Sequence, residues 1–355
     1  MTTSGGRRDL AEVRAGLEAW CVAHRPDVAA AGIAELRHPS SGLSNETIVA
    51  TTNPSADGTP GPSIVVRLPP LLPSFPHVDL AREARVHAAI TAAGIPTAAP
   101  LVHEPDPRWL GTEFVVLPFV AGTIPGPASL FDPWLTEATE AQRRDAQRAM
   151  VRTLGAIGRV PWRGTALEEL AGDGGGSLVA ELDRWDAYLR WATGDRPLPR
   201  IVALLRWCRD HAPDDDAEPS LVWGDPRLEN VVFGDDRRVV AVLDWELATI
   251  GPAELDLGWY LGLERVLHEL VHMDPLPGFA TPDEVAADLS AELGRPLQDP
   301  AWHQVFAVVR SICVNVRQAD IAAQAGVRYV LPAGEANPLI DVAERWTEEW
   351  TPWTS

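Results

Sequence analysis

Apolar positions along the chain change their spacing near residue 120. Before that point they come in short runs. Residues 47–51 and 63–68 each read as a strand, and the stretch between them, 52–62, is rich in Pro, Gly, Ser and Thr, which predicts an elaborated hairpin turn. Leu80, Ala84, Val86, Ala88 and Ile90 then give one apolar helix face, with Asp79 placed as its N-cap and Gly94 as its stop. Residues 99–103 and 113–119 return to strand-like runs, and Pro118 with the step 120–122 marks a break. The pattern predicts strands around one helix in this first part.

Beyond it helical spacing dominates, over residues 137–159, 177–192, 197–211, 253–272 and 302–325. One interruption, from Pro219 to Leu247, holds the β-like runs 221–223, 231–233 and 239–243, joined by polar turns. Irregular polar loops carried on a short hairpin are where catalytic groups are often placed.

Composition narrows the chemistry. All 30 Lys and Arg residues are arginine. A Walker A loop, a pyridoxal Schiff base and a Ser-x-x-Lys site each need a lysine, so all three are excluded. A net charge of −20 argues against nucleic acid or an anionic membrane surface as partner, because phosphate would be repelled. The N-terminus lacks the apolar core of a signal peptide and no apolar run is long enough to cross a bilayer, so a cytoplasmic protein is expected. Cys21, Cys208 and Cys313 are far apart and predict buried thiols without a disulfide framework or metal pair. His268 and His272 share a helix face at i, i+4, but no further ligands accompany them as a zinc site would require.

The stretch Trp223-Gly224-Asp225-Pro226-Arg227-Leu228-Glu229-Asn230 has the Asp-x-basic-x-x-Asn spacing of a phosphotransferase catalytic loop. Such a loop uses the Asp to orient an attacking hydroxyl and receive its proton, and the Asn to hold Mg²⁺. Asp225 and Asn230 fit those positions, and Arg227 can set a positive charge near the transferred phosphoryl group. Fourteen residues after Asn230, the apolar run Val242-Leu243 ends on Asp244, followed by Trp245-Glu246. Kinase folds place there the aspartate that binds Mg²⁺ bridging the β- and γ-phosphates. Asp256, in Glu254-Leu255-Asp256-Leu257-Gly258-Trp259, is expected to hydrogen-bond the catalytic loop or the helix amides.

Together these motifs resemble those of aminoglycoside phosphotransferases and the related kinase-like domains found beside acyl-CoA dehydrogenases. That family reads His-Gly-Asp with an Asn five residues on, then Asp-Trp-Glu, then Asp-Leu; here the histidine, a structural brace, is replaced by Trp223. On the resemblance, Trp223→His is expected to be tolerated.

The resemblance implies an α+β, bilobal protein-kinase-like fold, with residues 1–118 as a β-rich nucleotide-binding lobe and 119–355 as a mainly helical lobe holding the catalytic loop and acceptor site. It implies ATP (or GTP) and Mg²⁺ as cofactors, Asn230 and Asp244 as the metal ligands, and a small-molecule hydroxyl as the acceptor. It further implies that Ser44 and Asn45 belong to a loop covering the nucleotide, that Arg67 stands where kinases have their phosphate-binding lysine, paired with Glu83, and that Phe119 and Val120 lie beside adenine. Glu264, Glu269 and Asp274, with Arg310, Asn315, Arg317 and Asp320, would wall the acceptor pocket. Two other classes remain open: a nucleotide-holding pseudoenzyme, suggested by Trp223 and Arg67, and a hydrolase with paired carboxylates and no nucleotide.

Overall fold

The predicted hairpin is the middle of a five-stranded antiparallel sheet in the computed structural model, which describes residues 2–3, 7–39, 46–194, 196–214 and 217–351. Its strands are β1 (Ile33–Arg37), β2 (Glu46–Thr52), β3 (Ile64–Leu68), β4 (Val102–Glu104) and β5 (Phe114–Pro118), in the order β1-β2-β3-β5-β4. Ser44 and Asn45 lie outside the described residues.

One face of the sheet is covered by α1 (Leu10–His24), a helix that the strand-dominated expectation for this part of the chain had not included. The Asp9 side chain starts it by accepting a hydrogen bond from the Ala11 amide. Val13, Leu17 and Trp20 of α1 pack with Ile48, Ile64, Val66, Leu68, Phe114 and Val116 in one core. Because strand side chains alternate, Ile64, Val66 and Leu68 fill that core while Arg67 points to the opposite face. There it meets Glu83 of α2 (Leu80–Ala92), the helix whose first turn is closed by the Arg82 amide donating to Asp79 Oδ1.

His87 follows Glu83 by one turn and is 4% exposed. Burial, and then the charge of Arg67, lower its pKa from 6.5 to about 4. A depressed folded-state pKa gives stability that is complete above 6.5 and lost as pH falls from 6.5 towards 4. The loss should be on the order of 3 kcal/mol. His87→Gln is expected to be less stable than the parent at pH 7, with the gap closing by pH 4.5 in urea titrations. Parallel loss in both proteins would mean that His87 carries its charge in the folded state.

The chain divides into two units: residues 1–88, 98–121 and 321–328, and residues 89–97, 122–320 and 329–355. The second is built of helices α3 (Glu140–Gly158), α4 (Leu178–Thr193), α5 (Pro199–Asp210), α6 (Glu254–Val271), α7 (Pro282–Leu293), most of α8 (Pro300–Gln324), and α9 (Pro338–Glu349). The helices expected from spacing form within about three residues of their expected ends, within the uncertainty of boundaries read from sequence. Between α5 and α6 lie two small antiparallel ribbons, β6 (Ser220–Val222) with β9 (Thr249–Gly251) and β7 (Val231–Phe233) with β8 (Val239–Val242). Cys21, Cys208 and Cys313 are buried free thiols. Among the described residues no helix is long and apolar enough to cross a membrane.

Candidate active site

The catalytic-loop segment connects β6 to β7, so its ends are fixed by two different ribbons. Its backbone has to turn sharply at Gly224, where φ is +95° and an added Cβ would lie 2.4 Å from the Leu247 carbonyl oxygen. Asp256 holds the turn from below. Its two carboxylate oxygens accept from the Trp223 and Gly224 amides, each at 2.8 Å. Burial pushes the Asp256 carboxyl up to about 6, so at neutral pH it remains the ionised acceptor that two amide donors require.

Trp223 supplies the second brace. Its indole Nε1–H donates to the carbonyls of Leu243 (2.9 Å) and Asp244 (3.1 Å), joining the loop to the segment that follows β8. A single donor is enough here, because both partners are acceptors. The side chain is fully buried and packs against Trp245, with ring centroids 5.9 Å apart. The burial argues against the tolerance of histidine expected from the resemblance: an imidazole keeps a donor but leaves indole volume unfilled. Trp223→His is expected to lose about 2–3 kcal/mol in thermal or urea unfolding, somewhat below the ~3–5 kcal/mol of Trp→Ala in a core. Unchanged stability would show that the surrounding residues collapse onto the smaller ring.

Asp225 is 8% exposed and surrounded by donors. Arg227 clamps it with Nε to Oδ1 (2.8 Å) and Nη2 to Oδ2 (2.9 Å). Asn230 Nδ2 adds a bond to Oδ2 (2.8 Å), and Trp259 Nε1 one to Oδ1 (2.6 Å). Arg227 also pairs with Glu229. Burial opposes the Arg227 charge, but Asp225 and Glu229 outweigh it and hold its pKa above the ordinary value. Burial likewise raises Glu229, against the pull of Arg227.

The donor set suits a hard cation. Asn230 uses Nδ2 on Asp225, which leaves Oδ1 as its acceptor atom, and its backbone carbonyl receives the Leu243 amide at 2.8 Å, one residue from Asp244. Asp244 has φ +58°, an uncommon backbone state for a non-glycine residue. Among the described residues no three His, Cys, Asp or Glu side chains gather as a metal cage. A Mg²⁺ at Asn230 and Asp244 would draw its remaining ligands from phosphate and water, as that ion commonly does.

In the other unit, Arg67 Nη1 and Glu83 Oε1 form an ion pair at 2.5 Å, with both side chains mostly buried. Phe119 is half exposed just after β5, and its amide is engaged with the Ser63 carbonyl (3.0 Å). Val120 follows it.

Beside Leu228 of the loop opens a cavity of about 670 Å³, a size that suits a small molecule. Tyr260, Leu261 and Phe279 give it an apolar wall, and Glu264, Glu269 and Asp274 stand in its polar part. Ser129 donates to Glu264 (2.7 Å), and burial raises the Glu264 pKa. The residues expected from α8 are placed differently. Arg310 is 2% exposed inside the protein, Arg317 lies over the Trp191 ring, Asp320 pairs with Arg196, and Asn315 accepts from the Tyr329 hydroxyl. None of the four lines this cavity.

A model of the phosphotransferase enzyme family matches residues 35–306. Acyl-CoA dehydrogenase family member 11 of Gallus gallus is 34% identical over 233 residues, which are 64% of this chain and 28% of that protein. The chain thus spans little more than a quarter of the length of this curated relative. A crystal structure from Ralstonia eutropha, described as a candidate aminoglycoside phosphotransferase, superposes with a TM-score of 0.67 at 23% identity, covering 94% of this chain and 98% of the other. A macrolide 2'-phosphotransferase type I gives 0.56 at 17% identity over both whole chains. At such identities the structural likeness carries the fold.

Proposed function

Because the chain belongs to the phosphotransferase enzyme family, we propose that it is a small-molecule kinase, transferring the γ-phosphate of ATP or GTP to an alcohol. The observation that carries this reading is the fixed carboxylate of Asp225, tied through Asn230 to the segment that ends in Asp244. Asp225 orients the acceptor hydroxyl and takes its proton. Arg227, whose side chain is 40% exposed, exchanges part of its hold on Asp225 and Glu229 for the transferred group and sets its charge there. Mg²⁺, when bound, neutralises charge developing on the phosphates. Asn230 and Asp244 hold it, Arg67 contacts phosphate with Glu83 fixing its angle, and Ser44, Asn45, Phe119 and Val120 complete nucleotide recognition. The forked guanidinium of Arg67 makes a broader contact than lysine's point charge. The acceptor occupies the cavity beside Leu228, with its hydroxyl turned toward Asp225.

One observation favours a second reading, in which nucleotide is held without transfer: both Asp225 oxygens are already engaged by donors. The two part in a screen for acceptor-dependent ADP release over amino sugars, macrolides, amino alcohols, nucleosides and hydroxyacyl thioesters. Release with one class supports transfer. Binding of Mg²⁺-nucleotide with no release from any of them supports the second reading, and no binding of Mg²⁺-nucleotide overturns both.

A further inference from the structure

The hydrogen bond from Trp259 to Asp225 belongs to no part of the loop motif. Asp256 and Trp259 are three residues apart on α6 and therefore share a face of the helix. One takes the loop's backbone amides and the other its carboxylate. Of the three side chains that donate to Asp225, Arg227 is 40% exposed along its side chain, whereas Asn230 and Trp259 are 9% and 5% exposed as residues. When Arg227 turns to an incoming phosphate, Trp259 and Asn230 remain, one on each carboxylate oxygen. Two fixed donors on different oxygens define the plane of a carboxylate, and each oxygen keeps a lone pair for an acceptor hydroxyl.

The far side of the indole is also occupied. The Arg310 guanidinium lies 4.8 Å from the Trp259 ring centroid, donates to the Leu255 carbonyl (3.0 Å) and stands 3.7 Å from Glu181. Trp185 and Phe306 are also within cation–π distance of it. A buried cation on the π face draws ring electron density toward itself, which makes the indole N–H a stronger donor. Burial lowers the Arg310 pKa to about 10, which still leaves it charged at neutral pH.

We infer that Trp259 is a positioning residue for phosphoryl transfer, holding the Asp225 carboxylate in its reactive orientation, and that Arg310 behind it strengthens that hold. The inference rests on the kinase reading above. Trp259→Phe keeps an aromatic face for Arg310 and deletes the donor, together with part of the buried ring. It is expected to lower kcat roughly ten- to hundredfold, the weight of one hydrogen bond to a charged group. The nucleotide Kd and the acceptor KM should stay unchanged while the melting temperature falls modestly for the smaller buried ring; a loss confined to kcat at fixed Kd and KM is a split that a merely structural residue would not give.

An independent readout is the indole resonance of Trp259 in the parent, expected far downfield and moving upfield in Asp225→Asn. If Trp259→Phe cannot be purified, this resonance decides alone: no response to Asp225→Asn overturns the inference. An upfield move in Arg310→Gln supports the part assigned to Arg310, and no move removes it. Turnover kept in Trp259→Phe but lost in Asp225→Ala sinks the inference alone. Turnover kept in Asp225→Ala sinks the kinase reading, and the inference with it.

Discussion

Asp225→Ala is expected to lower phosphoryl transfer by about 10²–10⁴-fold, the usual contribution of a positioned acid or base, while nucleotide still binds. The geometry explains why the damage should stay local. Arg227 loses its clamp on Asp225 but keeps Glu229, so its charge stays near the phosphates. Asn230 loses one hydrogen bond, yet its Nδ2 still reaches the backbone carbonyl of residue 225 at 3.0 Å. The proposed metal ligand is therefore still anchored. The check is calorimetric titration with Mg²⁺-nucleotide, paired with turnover of whichever acceptor the screen identifies. Full turnover in Asp225→Ala would remove this residue from the chemistry.

Asp244→Ala should fail differently, with metal-dependent nucleotide affinity and transfer falling together. Trp223 binds the backbone carbonyl of Asp244, not its carboxylate, so truncating the side chain leaves the brace in place. Alanine at φ +58° is itself strained, by about 1 kcal/mol or more. Asp244→Asn is the cleaner companion, since asparagine accepts this backbone state and only the charge is lost. Both variants should bind nucleotide with an affinity that no longer responds to Mg²⁺ or a chelator. A normal Mg²⁺ response in both would mean that the cation is held elsewhere.

The loop was legible in the sequence because its chemistry is local: Asp225, Arg227 and Asn230 lie within six residues, and Asp244 follows β8, the second of the two short strands after them. The role of Asp256 could be foreseen only as a choice between loop and helix amides, and the structure selects the loop. Trp259 was not legible. It meets Asp225 across 34 residues, and in a chain with 14 tryptophans nothing in its spacing sets it apart, except that it follows Asp256 by three. Arg310 misled for the same reason: a helix pattern gives the face on which a charge lies, not whether that face is buried by other helices. α7 could have been found. Thr281 and Glu284 form a capping box, a signature visible in sequence, but the run behind it is short and weakly apolar. Glu264 and Glu269 reached their cavity because each lies about one turn beyond another residue lining it, Tyr260 and Arg265, on α6.

The grip of Asp256 on the Trp223 and Gly224 amides also bears on how the protein opens. Asp256 sits in the first turn of α6, whose early residues Leu255, Leu257 and Trp259 are buried, so releasing those amides means exposing a carboxylate held within the helical core. Local openings with few buried contacts occur often, while those that breach a core approach the free energy of global unfolding. Opening of the catalytic loop is thus coupled to exposure of the core beneath the first turn of α6, and its amides are expected to exchange hydrogen together with those of that turn rather than with the exposed loops.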